Sequence, residues 1–400
     1  MEVFKLQFTE EKFAKHMRPI NGSAIRDIFK LLAKPGMISF AGGNPSNTAL
    51  EPEVISRLAV EALDKYGTSL LQYGATEGFG PFRESVAEFL RGDGVNCDAS
   101  QILPVQGGSQ AFDLLLKVLV DPGDVVLCES PTFLGAIQAM REYNATIVDM
   151  PTDDEGVIVE AAEELIKKHH PKLMYVIPTF QNPTGITLSL ERRKALAALA
   201  SKYGVVIAED DPYRDLRYSG EALPPIQSFD TEGWVVYMSS FSKYISPGLR
   251  LGAAVVTNPL LLRKMVIGKQ SVDVHSPLLN QAIVDAYLRQ GLMPGHLERI
   301  CNDYRKQLNA MLDGFKSFPA GTRHTVPQGG LFVWAELPEG MSAVKVFDDA
   351  IGASVAYVPG IHFYAGGGHE NTLRLNFSMC DIPTIEEGMV WLGKVIAELG

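Results

Sequence analysis

A single lysine lies among hydroxyl groups in the stretch SSFSKYISPGLRLG, which covers residues 239–252. Ser240 and Ser242 place hydroxyls beside Lys243. The following Pro-Gly predicts a turn with free backbone N–H groups, and Arg250 adds a guanidinium, so this stretch could bind a phosphate dianion. A lysine crowded by a second cation has a less stable ammonium and can form a Schiff base with an aldehyde. A cofactor with both a phosphate and an aldehyde is pyridoxal 5′-phosphate.

The ring of that cofactor predicts further partners. Its nitrogen must stay protonated for the ring to accept electrons, which requires a buried carboxylate. Asp210 supplies one at the end of the apolar run GVVIA, and Tyr213 could reach the phenolic oxygen of the ring. Asn182, in the turn QNPTG, could donate to the same oxygen, and Phe133 could stack on the ring.

A glycine turn could complete the phosphate site. QGGSQ, at residues 106–110, lies between a predicted strand and the predicted helix AFDLLLKVLV. The N–H groups of Gly107, Gly108 and Ser109 would face an anion at the positive end of that helix.

Each of these features also has an ordinary structural interpretation. Lys243 could be a solvated surface lysine, and Asp-Asp-Pro could simply open a turn. Asn182 could cap its own turn, and Phe133 could belong to the core. Their order on successive strand ends of one sheet favours a common site instead.

Short apolar runs alternate with helical stretches in the middle of the chain. We predict helices at residues 134–143, 159–170 and 190–204. We predict strands at residues 124–130, 145–151, 172–178, 204–210, 234–240 and 249–256. Apolar strands separated by helices indicate a mainly parallel sheet covered on both faces. In such sheets ligands bind beyond the carboxyl ends of the strands, where the polar motifs fall.

The pattern changes after about residue 290. A long amphipathic helix at 295–315 leads into predicted strands at 329–337, 354–360 and 371–377, and a closing helix begins at Ile385. The chain is therefore predicted to have an N-terminal arm at 1–48, a large cofactor-binding domain at 49–290 and a small α+β domain at 291–400.

Several motifs together resemble a known family. QGGSQ, QNPTG, EDDPY, SSFSK and PGLRLG, in this order and spacing, are similar to those of fold-type I aminotransferases of class I/II, which depend on pyridoxal phosphate. LQYGATEGFGPFRE and PQGGLFVWAELPEG resemble the branch with 2-aminoadipate and kynurenine aminotransferases. The resemblance covers nearly the whole chain and implies an α/β large domain, with a mainly parallel sheet flanked by helices, beside a smaller α+β domain.

The resemblance also implies roles for these residues. Lys243 would hold the cofactor aldehyde and act in catalysis with Asp210 and Tyr213. The residues implied to bind the phosphate are Gly107, Gly108, Ser240, Ser242 and Arg250. Tyr73, in LQYG, would reach the phosphate of the other subunit's cofactor, which implies a homodimer with active sites at the subunit interface.

Arg374, in NTLRLNF, matches the family's carboxylate-binding arginine, and Gly43 is expected near the same carboxylate. A planar guanidinium binds a carboxylate through two parallel bonds, although a strand arginine can also pair with a surface acid. In SAIRDIFKLL, Ser23 is a predicted helix N-cap at the substrate site. Arg26 could bind a distal acidic group of the substrate, or it could pair with Asp27 or water. Phe133 replaces a tyrosine of the aminoadipate enzymes and therefore lacks one hydroxyl.

The composition excludes several other classes of protein. The net charge of −11 argues against nucleic-acid binding. No apolar run approaches the about 20 residues of a membrane helix, and the charged first residues do not resemble a signal peptide. Four distant cysteines, Cys97, Cys128, Cys301 and Cys380, are interpreted as reduced thiols in a cytoplasmic protein. No residues have metal-ligand spacing, so no metal is predicted.

We therefore predict a cytoplasmic homodimeric aminotransferase of amino-acid metabolism. It would move the amino group of an L-amino acid (2-aminoadipate, an aromatic or kynurenine-like donor, or a branched aliphatic one) to a 2-oxo acid by ping-pong chemistry, with 2-oxoglutarate as the expected acceptor. A C–S β-lyase would use the same residues, and a regulator that binds the cofactor without catalysis is a further alternative. The acidic chain disfavours the regulator.

Overall fold

The computed structural model of the chain describes residues 9–18, 20 and 36–399. Its strands, in chain order, are β1 (Ile38–Ser39), β2 (Ile102–Val105), β3 (Val125–Ser130), β4 (Thr146–Asp153), β5 (Gly156–Val157), β6 (Leu173–Val176), β7 (Val206–Asp210), β8 (Val235–Ser240), β9 (Gly252–Val255), β10 (Arg323–His324), β11 (Phe332–Glu336), β12 (Val355–Ala356), β13 (Val358–Pro359) and β14 (Thr372–Asn376).

The α-helices of the same residues cover the sheets and connect their strands. In chain order they are α1 (Pro52–Tyr66), α2 (Gly80–Gly92), α3 (Gly108–Leu119), α4 (Leu134–Glu142), α5 (Val159–His169), α6 (Leu190–Tyr203), α7 (Pro259–Gln270), α8 (Leu278–Arg289), α9 (Met293–Gly314), α10 (Phe347–Gly352) and α11 (Ile382–Leu399). Among these helices, none is both long and apolar enough to cross a membrane.

The largest sheet has eight strands in the order β2-β9-β8-β7-β6-β3-β4-β5. The strands from β8 to β4 in this order are parallel to one another, whereas β9 is antiparallel to both of its neighbours. Gly252, the first residue of β9, therefore pairs with Val105 and Ser240, the last residues of β2 and β8. The start of β9 thus lies at the edge where the neighbouring strands end.

Both faces of this sheet are buried, as the apolar strand sequences predict. On β6, Leu173 and Tyr175 belong to a core with α3, α4 and α7, whereas Met174 and Val176 belong to a core with α5 and α6. Alternate side chains of a strand point to opposite faces, so each face needs its own apolar cover. Burying each large apolar side chain favours folding by roughly 1.5–3 kcal/mol.

A second sheet has four antiparallel strands in the order β10-β11-β14-β13, packed with α9 and α11. Strand β1 pairs in parallel with β12, so residues 38–39 join this part of the molecule although they precede the large sheet in sequence. We also predict from the sequence that the N-terminal arm is associated with the small domain and the active site. The boundaries at residues 48 and 290 stay predictions.

Most predicted elements between residues 124 and 256 occur with their ends shifted by only a few residues. Two elements after residue 290 differ. The predicted strand at 354–360 is divided, because Val355 pairs with β1 and Val358 pairs with β14. The closing helix begins at Ile382 rather than Ile385, because the side chain of Asp381 accepts the Thr384 N–H and caps an earlier turn.

Candidate active site

The polar motifs meet around a cavity of about 250 Å³ at the edge where the parallel strands end. The residues that the sequence predicted and that line it are Gly43, Gly107, Gly108, Ser109, Phe133, Asn182, Asp210, Tyr213, Ser240, Ser242, Lys243, Arg250 and Arg374. Arg374 comes from β14 of the second sheet, whereas most of the other residues follow strands of the large sheet. The cavity is therefore built from both sheets.

Lys243 follows β8 and points its ammonium at the backbone of residue 43. Its Nζ donates to the Gly43 carbonyl oxygen at 2.8 Å. Burial, together with the cations Arg374 and Arg250, lowers the pKa of Lys243 to about 8, and the Asp210 carboxylate opposes this shift. The crowding that the sequence predicted is thus present, and Arg374 contributes more than Arg250. A lysine with this pKa can act as a nucleophile or base near neutral pH.

Asp210 ends β7 and receives a hydrogen bond from the neighbouring strand. The hydroxyl of Tyr175, on β6, donates to Asp210 Oδ2 at 2.5 Å. Burial raises the pKa of Asp210 to about 6; Asp211 raises it further, whereas Tyr175 and Lys243 lower it. Asp210 therefore holds a proton more readily than an exposed carboxyl group does, which suits a partner for a ring N–H.

The phosphate-binding motifs form a cradle around the start of α3. Gly107 has φ +78° and precedes the helix, whose first N–H groups have no partner within the helix. The predicted role of the Gly107 N–H as an anion donor is wrong, because this N–H donates to the Val105 carbonyl oxygen at 2.9 Å. Arg250 donates from Nη2 to the Gln106 carbonyl oxygen at 3.2 Å and from Nη1 to Ser242 Oγ at 3.5 Å. A Cβ at residue 107 would lie 3.1 Å from Arg250 Nη2. This donor set, with a glycine leaving the approach open, fits a phosphate dianion.

Arg374 is buried, with 2% of its surface exposed, and it stacks on Phe332 at 4.2 Å and Phe363 at 4.9 Å. Its Nη2 donates to the Ala41 carbonyl oxygen at 2.8 Å, and its Nε has no partner in the described part of the chain. Burial lowers its pKa to about 10. No carboxylate of the described residues pairs with it, which rules out the surface ion pair among those residues. A buried cation without a counter-ion favours an anionic ligand.

The side chain of Asn182 connects this arginine to Tyr213. Asn182 Oδ1 accepts from Arg374 Nη1 at 2.8 Å, and its Nδ2 donates to the Tyr213 hydroxyl at 3.4 Å. The turn itself is capped by Gln181, whose Oε1 accepts the Thr184 N–H. The alternative in which Asn182 caps its own turn is therefore wrong.

Among the described residues, one predicted site residue, Tyr73, does not line the cavity. Tyr73 is 82% exposed, and its ring contacts His275 edge-on with 6.1 Å between the centroids. This position is compatible with a hydroxyl that serves another subunit. Ser23 and Arg26, with the helix predicted around them, lie outside the described residues.

The sequence interpretation missed residues that shape the cavity. Four additional residues line it: Asn44, Ile177, Pro212 and Phe332. Phe332 belongs to the second sheet, and no local signal links it to the motifs. Tyr175 could have been found, because a tyrosine in the apolar strand LMYVI needs a partner for its hydroxyl.

The described residues fit pyridoxal phosphate. The cavity has anion donors at one end, in the glycine turn and Arg250, and a buried carboxyl group at Asp210. Lys243 lies in the same cavity with an amine that deprotonates easily. A Cβ at residue 108 would lie 3.1 Å from Asp210 Oδ1, so glycine keeps the space beside this carboxyl group open.

Comparisons with known proteins identify relatives over nearly the full chain. A family model described as "Aminotransferase class I and II" matches residues 35–390. The aromatic-amino-acid aminotransferase 1 of Thermococcus litoralis is 39% identical over 396 residues, which cover 97% of this chain and 95% of that protein. The 2-aminoadipate transaminase of Thermus thermophilus is 41% identical over 393 residues, 97% of each chain. The crystal structure of a Pyrococcus horikoshii kynurenine aminotransferase in complex with PMP matches with a TM-score of 0.93 at 39% identity, covering 97% of this chain and 98% of that one.

We expect the Lys243 amine of the cofactor-free protein to titrate at a pH of about 8. Burial and two cations destabilise the ammonium, so half of the amine is neutral well below the usual lysine pKa of about 10.4. The rate at which an acylating reagent labels Lys243, measured by peptide mass spectrometry as a function of pH, gives the midpoint. Arg250→Gln should raise the midpoint because it removes a cation, and Asp210→Asn should lower it because it removes a carboxylate. A wild-type midpoint near the usual lysine value contradicts this prediction.

Tyr175→Phe should raise the pKa of Asp210 above its value of about 6. The Tyr175 hydroxyl stabilises the ionised carboxylate, and a hydrogen bond to a charged group contributes about 1.5–3 kcal/mol. Infrared difference titration of the cofactor-free protein would measure the shift, with Asp210→Asn identifying the carboxyl band. An unchanged or lower pKa in Tyr175→Phe would show that the hydrogen bond has no such effect.

Proposed function

The chain belongs to the class I and II aminotransferase family, and on this premise we propose that the cavity around Lys243 is where it moves an amino group from an L-amino acid to a 2-oxo acid. The aminotransferase class, fold type I and the pyridoxal phosphate cofactor, all predicted from the sequence, are confirmed by the family match and the relatives. One observation supports placing the reaction in this cavity. A readily deprotonated lysine, a buried carboxyl group and a buried arginine whose Nε has no partner share one cavity.

Pyridoxal phosphate, when bound, supplies an aldehyde that takes up the amino group and a ring that accepts electrons from the α-carbon. We assign its phosphate to the glycine turn, the two serines and Arg250. Asp210 would face the ring nitrogen, and Asn182 with Tyr213 would face the ring oxygen. The residues assigned to the phosphate are Gly107, Gly108, Ser109, Ser240, Ser242 and Arg250, and Phe133 is assigned to the face of the ring.

Arg374 would bind the substrate α-carboxylate. Its Nε is unpaired, and its Nη2 is held only by carbonyl oxygens of residues 41 and 42, which carry no full charge. A carboxylate can replace these partners with two parallel charge-assisted bonds. Gly43 follows directly and accepts from Lys243, so the carboxylate would bind beside the catalytic amine.

The neutral amine of Lys243 would take the proton from the substrate α-carbon and deliver it to the cofactor carbon that carried the aldehyde. Only the neutral form can accept a proton, so we expect the proton-transfer step to speed up as pH rises through the pKa that the Lys243 amine has in the loaded site. The same cavity would bind the amino acid and then a 2-oxo acid, because both have a carboxylate for Arg374. This sequential use of one site is ping-pong chemistry.

The walls beside Arg374 support an apolar or aromatic amino donor. Phe133, Ile177 and Phe332 provide apolar surface within the cavity. The relatives carry names for aromatic amino acids and 2-aminoadipate. We propose an aromatic or kynurenine-like, branched aliphatic or 2-aminoadipate donor, with 2-oxoglutarate as the acceptor. The contact of Arg26 with a distal acid stays a prediction, because that residue lies outside the described part of the chain.

The active form is proposed to be a homodimer. Leu71, Tyr73, Val272 and Val274 are exposed on the single chain, and the ring of Tyr73 contacts His275 in the same region. Large apolar side chains grouped on a surface are typical of an interface. A second copy on this surface would bring Tyr73 towards the other cavity. We also propose a cytoplasmic location, which the four free cysteine thiols support.

Protein reconstituted with pyridoxal phosphate should show a visible absorbance band that Lys243→Ala lacks, because the aldehyde then has no amine to bind. Lys243→Arg is the control that keeps the positive charge without this chemistry, and it should also lack the band. Rapid mixing with a panel of L-amino acids should bleach the band of the wild type, fastest for the physiological class of donor.

A band that persists in Lys243→Ala contradicts the lysine assignment. Release of a thiol from a cysteine conjugate, without amino transfer to 2-oxoglutarate, would favour the C–S β-lyase over the transaminase at this site.

An equimolar mixture of Lys243→Ala and Tyr73→Ala chains, unfolded and refolded together, should be more active than either variant alone. If Tyr73 serves the partner's site, each mixed dimer has one native site, about a quarter of all sites after random assembly. Lys243→Ala mixed with Arg250→Ala is the matched control, since both residues act in their own chain and no native site can form. Equal activity in the two mixtures would place Tyr73 outside the partner's site.

A further inference from the structure

A buried ion pair lies under the glycine turn and has no place in the reaction described above. Lys269, near the end of α7, is 0% exposed. Its Nζ donates to Asp273 Oδ2 at 2.8 Å, to Gln110 Oε1 at 2.8 Å and to Ser276 Oγ at 3.0 Å. An ammonium has three N–H donors, so each of them is used.

Asp273 binds both glutamines that flank the glycines of QGGSQ. Its Oδ2 accepts from Gln106 Nε2 at 2.7 Å and from Gln110 Nε2 at 2.8 Å. Gln110 Oε1 also accepts the backbone N–H of Gln106 at 2.8 Å. The two ends of the turn are therefore fixed to one carboxylate and to each other.

This anchored turn also contacts Arg250, the arginine that we assign to the phosphate. The carbonyl oxygen of Gln106 accepts from Arg250 Nη2 at 3.2 Å. Residues 108 and 109, whose N–H groups are proposed to face the phosphate, lie between the two anchored glutamines, and the N–H of Gly107 donates to the Val105 carbonyl oxygen. The direction of these donors and the position of Arg250 therefore both depend on Gln106 and Gln110.

Such a pair adds little net stability, because removing both charges from water costs about as much as their attraction returns. Its contribution is instead to fix the positions of the side chains that it binds. It joins α7 to the turn at the start of α3 through bonds to Gln106 and Gln110, and it also binds Ser276. Donors held in place before a ligand arrives bind it more tightly, because less freedom is lost on binding.

We propose that Lys269 and Asp273 are positioning residues for the cofactor phosphate. They hold the turn from Gln106 to Gln110 so that its N–H groups and Arg250 converge on one point. This inference rests on the proposed placement of the phosphate at that turn.

Equilibrium binding to the cofactor-free protein tests this inference, with pyridoxal phosphate and pyridoxal as the two ligands. Pyridoxal has the same ring and aldehyde but no phosphate. Asp273→Asn should weaken pyridoxal phosphate binding by about tenfold or more, as expected for losing hydrogen bonds to a charged group, and should leave pyridoxal binding unchanged. Gln110→Leu keeps both charges and removes one link to the turn, and it should show the same selective loss.

Asp285→Asn is the matched control. Like Asp273, Asp285 is an acid paired with a cation four residues away, Arg289, but it lies on α8 and binds neither glutamine of the turn. It should change neither binding constant. If Asp273→Asn and Gln110→Leu weaken both ligands equally, or neither, the positioning role is overturned. If the wild type binds pyridoxal as tightly as pyridoxal phosphate, the placement of the phosphate fails as well.

Discussion

Three cations face one cavity in which Asp210 is the only carboxylate among the described lining residues. Lys243, Arg250 and Arg374 are held there in a chain whose net charge is −11. Arg250 is exposed, but burial of Lys243 and Arg374 leaves their repulsion poorly screened by water, and the proton affinity of Lys243 is lowered. The remaining positive charge favours the binding of anions. The cavity has two positions where an anion could bind, one at Arg250 and one at Arg374.

The same repulsion links ligand binding to the state of the lysine. An anion at either arginine would offset the effect of that arginine on Lys243, so the affinity of the amine for a proton would increase as the site fills. Arg374 has the larger effect, and it is the one assigned to the substrate. A base whose proton affinity rises when its substrate is in place is well suited to remove a proton from that substrate.

The strand ends of the large sheet could be predicted from the sequence because their signals are local. Asp210, Asn182 and Lys243 each follow an apolar run within a few residues, and parallel strands bring such ends together. The antiparallel direction of β9 has no comparable local signal. It nevertheless decides the position of Arg250, since the residues before Gly252 reach the site edge only because this strand runs opposite to its neighbours.

The supporting contacts could not be predicted, because they join residues far apart in sequence. Asp273 is more than 160 residues from the glutamines that it binds, and Phe332 reaches the site from another sheet. Tyr175 is nearer, but its partner depends on the register between β6 and β7. Local patterns therefore identified groups that line the cavity and not the groups that hold them in place.

The segment between β1 and α1 joins the two sheets at the site. Its Ala41 carbonyl oxygen accepts from Arg374 of the second sheet, and its Gly43 carbonyl oxygen accepts from Lys243 of the first. Both carbonyl groups occupy donors that the substrate needs, yet neither has a full charge to offset a buried cation. A carboxylate at Arg374 would therefore bind the unpaired Nε and displace a weaker partner from Nη2. Most of the buried donors are therefore paired before the substrate binds. Replacing a neutral carbonyl oxygen with a charged carboxylate still makes the free energy of substrate binding favourable.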